Sequence, residues 1–331
     1  MLIHLDTSLF HDPTNESDIS YLISIMADNY RYDFFLELTE IKELDAFKNL
    51  SQSNKKAAEE MFYRHITGST KVSYRISIES DNEKTFDINE AKIFLNEKFK
   101  IFLENNRYDK YFIECLLKNF KKKSKYIQRG LERNWIEYSN LGGQTNMLNT
   151  LDTYLKEFDK LPKENKRYTR CFVLLDGDKK FPNEQLSGEK RKFISFLEEN
   201  EISFHILYKR EMENYMPIEA LKRSGVNNEF IAIYEKLSDD IQDFYDLEKG
   251  LKNTSIDKLP SGVRDLFADV SDEDYKYLNR NVFIKDKFKS TFPDCFRFAD
   301  RESLLERTKN QKDPDELVNI LLKISKAIQN G

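Results

Sequence analysis

The fold of this chain is decided by CFVLLDGDKKFP, residues 171–182. Its first half is a short apolar run bounded by polar residues, which is typical of a strand buried on both faces of a parallel sheet. The run ends on Asp176 and Asp178, two carboxylates separated by one glycine. Because aspartate favours turns, the pair is interpreted either as a simple bend after the strand or as a site for a divalent cation.

Strands and helices alternate on both sides of this stretch, from residue 97 to about residue 215. Helical patterns of ten or more residues separate the apolar runs, which predicts βαβ units and a parallel sheet. We expect an α/β core with a four-stranded, mostly parallel sheet flanked by helices. The predicted strands are FKIFLE (99–104), WIEYSN (135–140), CFVLLDGD (171–178) and ISFHILY (202–208).

The rest of the chain divides into an N-terminal and a C-terminal region. Residues 1–96 read as an α/β extension of unknown role, with helices around 19–26 and 57–63 and a strand in KVSYRISIE, from Lys71. Residues 97–220 form the predicted core. Residues 221–331 are mostly helical in pattern, and the last helix has an apolar stripe formed by Leu317, Leu321, Ile324 and Ile328.

Composition limits the cellular context and the class of partner. The 331 residues are 39% hydrophobic and 34% charged, with a net charge of −5, so the chain is not basic overall, although a local basic patch can still bind phosphate. Cys115, Cys171 and Cys295 lie far apart and lack zinc-site spacing, which favours reduced core thiols. Without a basic leader or an apolar run of about 20 residues, we expect a cytoplasmic protein with no membrane partner.

The acidic residues of the core fall at the ends of the predicted strands. Glu104 ends the first strand, Asp176 and Asp178 end the third, and REMENY (210–215) follows the fourth. Ligands of parallel sheets lie beyond the carboxyl ends of the strands, so these side chains are expected to meet at one edge. Glu211 and Glu213 would point to different faces of a helix, which leaves one of them in the site and the other as a surface acid.

The ordered set of LENNRYD (103–109), a GG turn at 142–143, DGD and REMENY resembles the TOPRIM domain of topoisomerases, primases and OLD-family nucleases. The resemblance covers roughly residues 97–220. REMENY is similar to the ENY segment of TOPRIM-like proteins of bacterial anti-phage defence, which favours Glu213 over Glu211. Asn105 stands where glycine follows the opening glutamate in topoisomerases and primases, so the nuclease branch is the nearer match.

The resemblance implies a metal-dependent endonuclease that hydrolyses phosphodiester bonds of DNA or RNA, as an effector of anti-phage defence. No GxxxxGK[ST] motif occurs in the sequence, so any ATPase or sensor would be a separate partner. A homo-oligomer is a further expectation. Residues 97–220 would then form a TOPRIM-like Rossmannoid core.

The chemistry expected of the acidic edge follows from its charge. Converging carboxylates stay ionised only if cations neutralise them, and oxygen ligands suit Mg²⁺ or Mn²⁺. Two such ions activate a water and stabilise the leaving oxygen of a phosphodiester. Glu104 and Asp176 are predicted to hold the first ion, and Asp178 and Glu213 the second. Lys180 is the preferred cation for the scissile phosphate, with Lys179, Lys209 and Arg210 as alternatives.

Several residues keep two interpretations. Asp109 either caps the following helix or joins the site. The GG loop either forms a tight turn or, with Gln144, Thr145 and Asn146, offers N–H groups to a phosphate. The lysines at 121–123 are a solvated helix end or a nucleic-acid contact.

Two other functions compete with the nuclease. One is a non-catalytic nucleic-acid-binding or assembly scaffold of TOPRIM-like fold. The other is a phosphatase of the haloacid-dehalogenase kind with Asp176 as nucleophile. The phosphatase is disfavoured because DGDKK contains no threonine and lies on the third strand.

Overall fold

The computed structural model describes residues 1–28, 31–66, 71–80, 82–143, 145–252, 254–285 and 287–330. The chain forms two compact units. The first comprises Met1–Phe99, Tyr154–Arg170 and Lys326–Gly331, and the second comprises Lys100–Thr153 and Cys171–Ser325. The helices that follow residue 221 thus fall largely into the same unit as the predicted core, and the three-region division of the sequence stays a prediction.

The first unit contains a parallel sheet with the strand order β2-β1-β3-β4 among the described residues. Its strands are β1 (Leu2–Leu5), β2 (Asp33–Phe35), β3 (Tyr74–Ile76) and β4 (Thr85–Phe86). Its helices are α1 (Glu16–Ala27), α2 (Leu38–Ile41), α3 (Asp45–Lys48), α4 (Gln52–His65) and α5 (Ile88–Asn96). The α/β character predicted for this region is confirmed.

The strand predicted from Lys71 is shorter than its alternating pattern indicates. β3 covers three residues, and Val72 and Ile78, predicted to face inward, are 39% and 49% exposed. β3 pairs with β1 over Tyr74–Ile76, and the neighbouring Ser73 and Ser77 each donate one backbone hydrogen bond, to Leu2 and Phe86, so pairing ends before Val72 and Ile78.

The second unit contains the sheet predicted from the strand–helix alternation. In the described chain it has four strands in the order β6-β5-β7-β8, and β7 pairs in parallel with both β5 and β8. All five residues of β7 are buried, as its apolar run predicts. The strands are β5 (Phe99–Leu103), β6 (Ile136–Asn140), β7 (Cys171–Leu175) and β8 (Ser203–Ile206).

Helices connect and follow these strands. The connecting helices are α6 (Asn106–Asn119), α7 (Lys121–Glu132), α8 (Met147–Lys156) and α9 (Gly188–Glu199). The later helices are α10 (Ile218–Ser224), α11 (Asn228–Tyr234), α12 (Asp239–Phe244), α13 (Ser261–Leu266), α14 (Asp272–Arg280), α15 (Phe288–Thr291), α16 (Arg301–Thr308) and α17 (Glu316–Asn330). The apolar stripe predicted for α17 is buried.

The structure also bears on the predictions made for the cysteines, for the lysines at 121–123 and for membrane-spanning segments. All three cysteines are buried and free. The lysines at 121–123 are exposed, but they begin α7 rather than end a helix, because α6 ends at Asn119. None of the helices in the described part of the chain combines the length and the apolar character needed to cross a bilayer.

A buried charge network ties the segment after β8 to α12 and α16. Lys209 is fully buried, and its ammonium group donates to Asp243 Oδ1 and, over 3.0 Å, to the carbonyl of Arg307. Arg307 Nη1 lies 2.6 Å from the same Asp243 oxygen. One carboxylate therefore balances two buried cations just before the REMENY segment.

Replacing Asp243 should destabilise the protein more than any exposed change on the same helix. Asp243→Ala leaves Lys209 and Arg307 buried without their shared counter-charge, which is expected to cost about 3–5 kcal/mol of unfolding free energy. Asp240→Ala, exposed on α12, is the matched control and should cost less than about 1 kcal/mol. Urea unfolding followed by circular dichroism measures both. Equal losses in the two variants would contradict the network's role.

Candidate functional site

The DGD turn brings two backbones into close contact at the carboxyl end of β7. A Cβ atom on Gly177 would lie 2.3 Å from the carbonyl oxygen of Lys209, so only glycine fits there. The next residue, Asp178, has a φ of 54°, and its N–H donates to the carbonyl of Arg210 over 2.7 Å. Asp176 and Asp178 are thus held on either side of the point where the turn meets the segment after β8.

A lysine ammonium group lies between the residues that follow β5 and β7. Lys190, in the first turn of α9, is 1% exposed, and its Nζ lies 2.6 Å from the carbonyl oxygen of Asp176 and 3.3 Å from Glu104 Oε1. It also donates to Asp178 Oδ2. Burial lowers the pKa of Lys190. The carboxylates of Glu104 and Asp178 raise it by a larger amount, so the net shift of the pKa is upward.

Asp176 is the most strongly perturbed carboxyl group of the site. Its Oδ1 accepts a hydrogen bond from the N–H of Met212 over 3.1 Å, and its own N–H donates to Glu104 Oε1 over 3.2 Å. Burial raises the pKa of Asp176 well above its ordinary value, and four neighbouring carboxylates raise it further; in decreasing order of effect they are Glu104, Asp109, Glu213 and Glu211. The predicted ligands Glu104 and Glu213 are therefore electrostatic neighbours of Asp176, and Asp178 is linked to Glu104 through Lys190.

We call Glu104, Asp109, Asp176, Asp178, Glu211 and Glu213 the carboxylate cluster. Burial also raises the pKa of Glu104, and Asp178 adds to the shift while Lys190 opposes it. Carboxyl groups so shifted are typical of functional sites.

Asp109 lies inside α6 rather than before it, so the prediction that it caps this helix as the preceding residue is wrong. Its Oδ2 accepts a hydrogen bond over 2.7 Å from the N–H of Asn105, the N-cap residue, whose own side chain makes no capping hydrogen bond. Burial, with Glu213 and Glu104 adding to the shift, raises the pKa of Asp109 to about 7. Asp109 is therefore an electrostatic neighbour of the predicted ligands.

The prediction that Glu211 is a surface acid is wrong. Glu211 and Glu213 are both largely buried, with side chains 14% and 13% exposed. Glu211 has an extended backbone and precedes the 3₁₀ turn Met212–Tyr215, so the α-helical spacing that would separate the two side chains does not apply. Both glutamates consequently lie close enough to Asp176 to raise its pKa.

Glu211 is also the least satisfied member of the cluster. Burial, with the carboxylates of Glu213 and Asp246 adding to the shift, raises its pKa to about 8. Its Oε2 is buried and has no hydrogen-bond partner among the described residues, and its Oε1 lies 3.8 Å from Arg210 Nε. An unpartnered buried oxygen of this kind is costly unless a ligand or a proton satisfies it.

A second ammonium group reaches the cluster from α15. Lys289 Nζ lies 3.3 Å from Glu213 Oε1 and 3.6 Å from Glu248 Oε2. Burial lowers the pKa of Lys289, but Glu213, Glu211 and Glu248 together raise it far more. Sequence reasoning missed both Lys190 and Lys289. Lys190 carries a weak signal, a lysine in the first turn of a helix, where the dipole disfavours positive charge.

The cations predicted from the sequence are placed differently. Lys180 is exposed, and no contact between its ammonium group and the carboxylate cluster is found in the described structure. Lys209 is enclosed in the network with Asp243 and cannot meet a substrate phosphate. Arg210 contacts Asp246 through Nη2 over 2.7 Å and approaches Glu211.

The GG loop forms a tight turn beside Glu104. Gly142 and Gly143 have φ values of 79° and 76°, the left-handed region that favours glycine, and the N–H of Gly143 donates to the carbonyl of Glu104 over 3.2 Å. The loop therefore anchors the residue that follows β5. Gln144, one of the residues proposed to bind phosphate, lies outside the described residues.

The site offers carboxylate oxygens, the ligand type that Mg²⁺ and Mn²⁺ prefer. No three acidic, histidine or cysteine side chains among the described residues are positioned together as a metal-binding group. The Lys190 ammonium group contacts both Glu104 and Asp178. Glu211 Oε2 is buried and has no hydrogen-bond partner in the described part of the chain, so the donor set fits a hard cation.

Comparison of the chain with protein-family models, curated proteins and solved structures gives no match.

The raised pKa of Glu211 predicts how stability changes with pH. In the folded state its pKa is about 8, against 4.5 ordinarily, so folding retains a proton that the unfolded chain has lost. The contribution of this group to stability is complete below about pH 4.5 and is lost as the pH rises through about 8. Glu211→Gln removes the buried charge, so without divalent ions it should be more stable than the parent by roughly 2 kcal/mol above about pH 8.

The measurement is urea unfolding in EDTA at about pH 5 and about pH 9, where the difference between Glu211→Gln and the parent should appear only at the higher pH. Glu198→Gln, exposed near the end of α9, is the control and should show no such difference. A Glu211→Gln variant that is less stable than the parent at high pH would disprove the assignment.

Proposed function

We propose that this protein is a metal-dependent nuclease that hydrolyses phosphodiester bonds of DNA or RNA. The observation that carries the proposal is the convergence of carboxylates from three places, the ends of β5 and β7 and the turn after β8, around Asp176. The ordered resemblance to TOPRIM nucleases supports the same function independently of the geometry.

The proposed ions would be two Mg²⁺ or Mn²⁺ held by Glu104, Asp176, Asp178 and Glu213, with Asp109 and Glu211 as additional donors. When bound, the ions supply an activated water and stabilise the leaving oxygen. The carboxylate cluster serves to hold this positive charge in a fixed place. The raised pKa values of Asp176 and Glu211 mean that an isolated negative charge is unfavourable there, which supports a positively charged ligand at the cluster.

The chain's own cations act beside the carboxylates. Lys190 neutralises Glu104 and Asp178 and keeps the DGD turn attached to α9. Lys289, which is 38% exposed and reaches Glu213 from α15, is better placed than Lys180 to meet a phosphate at the cluster. We therefore assign the role predicted for Lys180 to Lys289.

The biological setting is proposed from the resemblance. The protein would act in the cytoplasm as an effector of bacterial anti-phage defence. A separate ATPase or sensor protein, or self-association, would control it.

A second candidate function, a non-catalytic nucleic-acid-binding scaffold, is favoured by one observation. The Lys190 ammonium group already compensates two carboxylates of the cluster without a metal ion. A scaffold would bind nucleic acid equally well with and without divalent ions and would leave it intact.

The nuclease proposal predicts cleavage that depends on both the ions and the carboxylates. Purified protein incubated with plasmid, single-stranded DNA and tRNA should cut at least one of them with Mg²⁺ or Mn²⁺ and none with EDTA. Asp176→Asn and Glu104→Gln preserve side-chain shape and should reduce the cleavage rate by more than roughly 100-fold, while Glu198→Gln should leave it unchanged. Cleavage that persists in both site variants refutes the proposed site, and binding without cleavage supports the scaffold.

Lys190 and a divalent ion should substitute for each other in stabilising the cluster. Lys190→Gln leaves Glu104 and Asp178 without their buried counter-charge, which should cost about 3 kcal/mol in EDTA. Added Mg²⁺ or Mn²⁺ should then raise the melting temperature of Lys190→Gln more than that of the parent. The control is Lys192→Gln, exposed on the same helix, and differential scanning fluorimetry is the measurement. An equal metal-induced shift in the parent and in Lys190→Gln would exclude this exchange.

A further inference from the structure

A cavity of about 200 Å³ lies between α12 and α13 in the second unit. Phe244, Phe267 and Val263 contribute to its apolar walls. Its volume exceeds the roughly 150 Å³ that holds one benzene ring in an engineered protein cavity. It is smaller than the roughly 300 Å³ at which pockets for drug-sized ligands begin. The cavity therefore has room for one ring-sized group and not for a larger ligand.

The rim of this cavity is basic. Lys180, Arg210 and Lys252 line it together with one acidic residue, Asp246, whose Oδ2 lies 2.7 Å from Arg210 Nη2. The carboxylate of Asp246 offsets the charge of Arg210, and the two lysines add positive charge to the rim. An apolar interior with a positive rim matches a group that has an aromatic ring and an attached phosphate.

The same residues connect the cavity to the carboxylate cluster. The carbonyl of Arg210 accepts the N–H of Asp178, and its Nε lies 3.8 Å from Glu211 Oε1. Lys180 follows Asp178 by two residues in the same loop. That loop packs directly on α13, because a Cβ atom on Gly262 would lie 2.6 Å from the ring of Phe181. The cavity and the cluster thus share one loop and one arginine.

We propose that this cavity binds one unpaired base of a single-stranded nucleic acid whose neighbouring phosphate lies at the carboxylate cluster. The inference rests on the proposed nuclease function and adds the substrate class. Phe244 and Phe267 provide apolar aromatic contacts for the base, and Lys180 and Lys252 contact the flanking phosphates. A base within a duplex reaches such a cavity only after unstacking and unpairing, so single strands and frayed ends are preferred.

Binding is measured without cleavage, so that the two proposals are tested separately. Single-stranded DNA and RNA oligonucleotides containing 2-aminopurine are titrated with the full-length protein in EDTA, alongside the same DNA as a duplex. Fluorescence anisotropy gives the dissociation constant, and the 2-aminopurine signal reports stacking of the base. The parent should bind the single strands at least about tenfold more tightly than the duplex and should quench the 2-aminopurine fluorescence.

Two variants test the cavity itself. Val263→Phe fills the interior, and Lys252→Glu reverses a charge on the exposed rim and keeps the interior intact. Each should weaken single-strand binding by about tenfold or more, and Val263→Phe should also abolish the quenching. Lys258→Glu, an exposed lysine that does not line the cavity, should change neither. Circular dichroism checks that each variant is folded.

The outcomes separate this proposal from the nuclease itself. Equal binding of single strands and duplex, or binding that both folded variants leave unchanged, overturns the base-binding cavity even if the parent cleaves nucleic acid. Single-strand binding that both variants weaken, with quenching that Val263→Phe abolishes, supports the cavity even if no substrate is cut. The DNA and RNA arms identify which strand the cavity prefers.

Discussion

The buried ammonium group of Lys190 is the interaction on which the candidate site depends. It joins the residues that follow β5 and β7 through Glu104, the carbonyl of Asp176 and the carboxylate of Asp178. Burial and the positive end of the α9 dipole both disfavour a cation at this position. Only the surrounding carboxylates make the position favourable, and without the ammonium group those carboxylates would repel one another. The turn, the helix and the acidic edge of the sheet are therefore mutually dependent.

Much of the second unit could be predicted from the sequence because several of its strands and helices each have a recognisable pattern of their own. β5 and β7 are mainly apolar runs, and helices of ten or more residues separate the strands, so the alternation itself predicts parallel pairing. The first sheet is different. β4 covers two residues and β2 three, too few for a periodic pattern to be recognised. Only β3 was predicted there, and its ends were extended too far because the sequence does not show where its partner strands stop.

Some residues of the candidate site could be predicted from the sequence, and others are brought there only by the fold. Glu104, Asp176 and Asp178 could be predicted to meet because they end neighbouring parallel strands, and that topology determines their position. Glu211 was misplaced because the spacing rule of an α-helix was applied to an extended residue before a 3₁₀ turn. Lys289 could not be found, because it reaches Glu213 from a position 76 residues away and no local pattern records that contact.

The negative charge of the carboxylate cluster is the physical basis of the proposed metal site. The six residues of the carboxylate cluster carry six negative charges when ionised, and Lys190 and Lys289 supply two positive charges. The cluster so defined keeps four negative charges, and Arg210, Asp246 and Glu248 border it. Protons are the alternative, and burial already raises the pKa of Asp109 to about 7 and that of Glu211 to about 8. Divalent ions at the proposed site would compete with protons for the same oxygens, and each ion bound near neutral pH would release protons from the carboxyl groups that hold it.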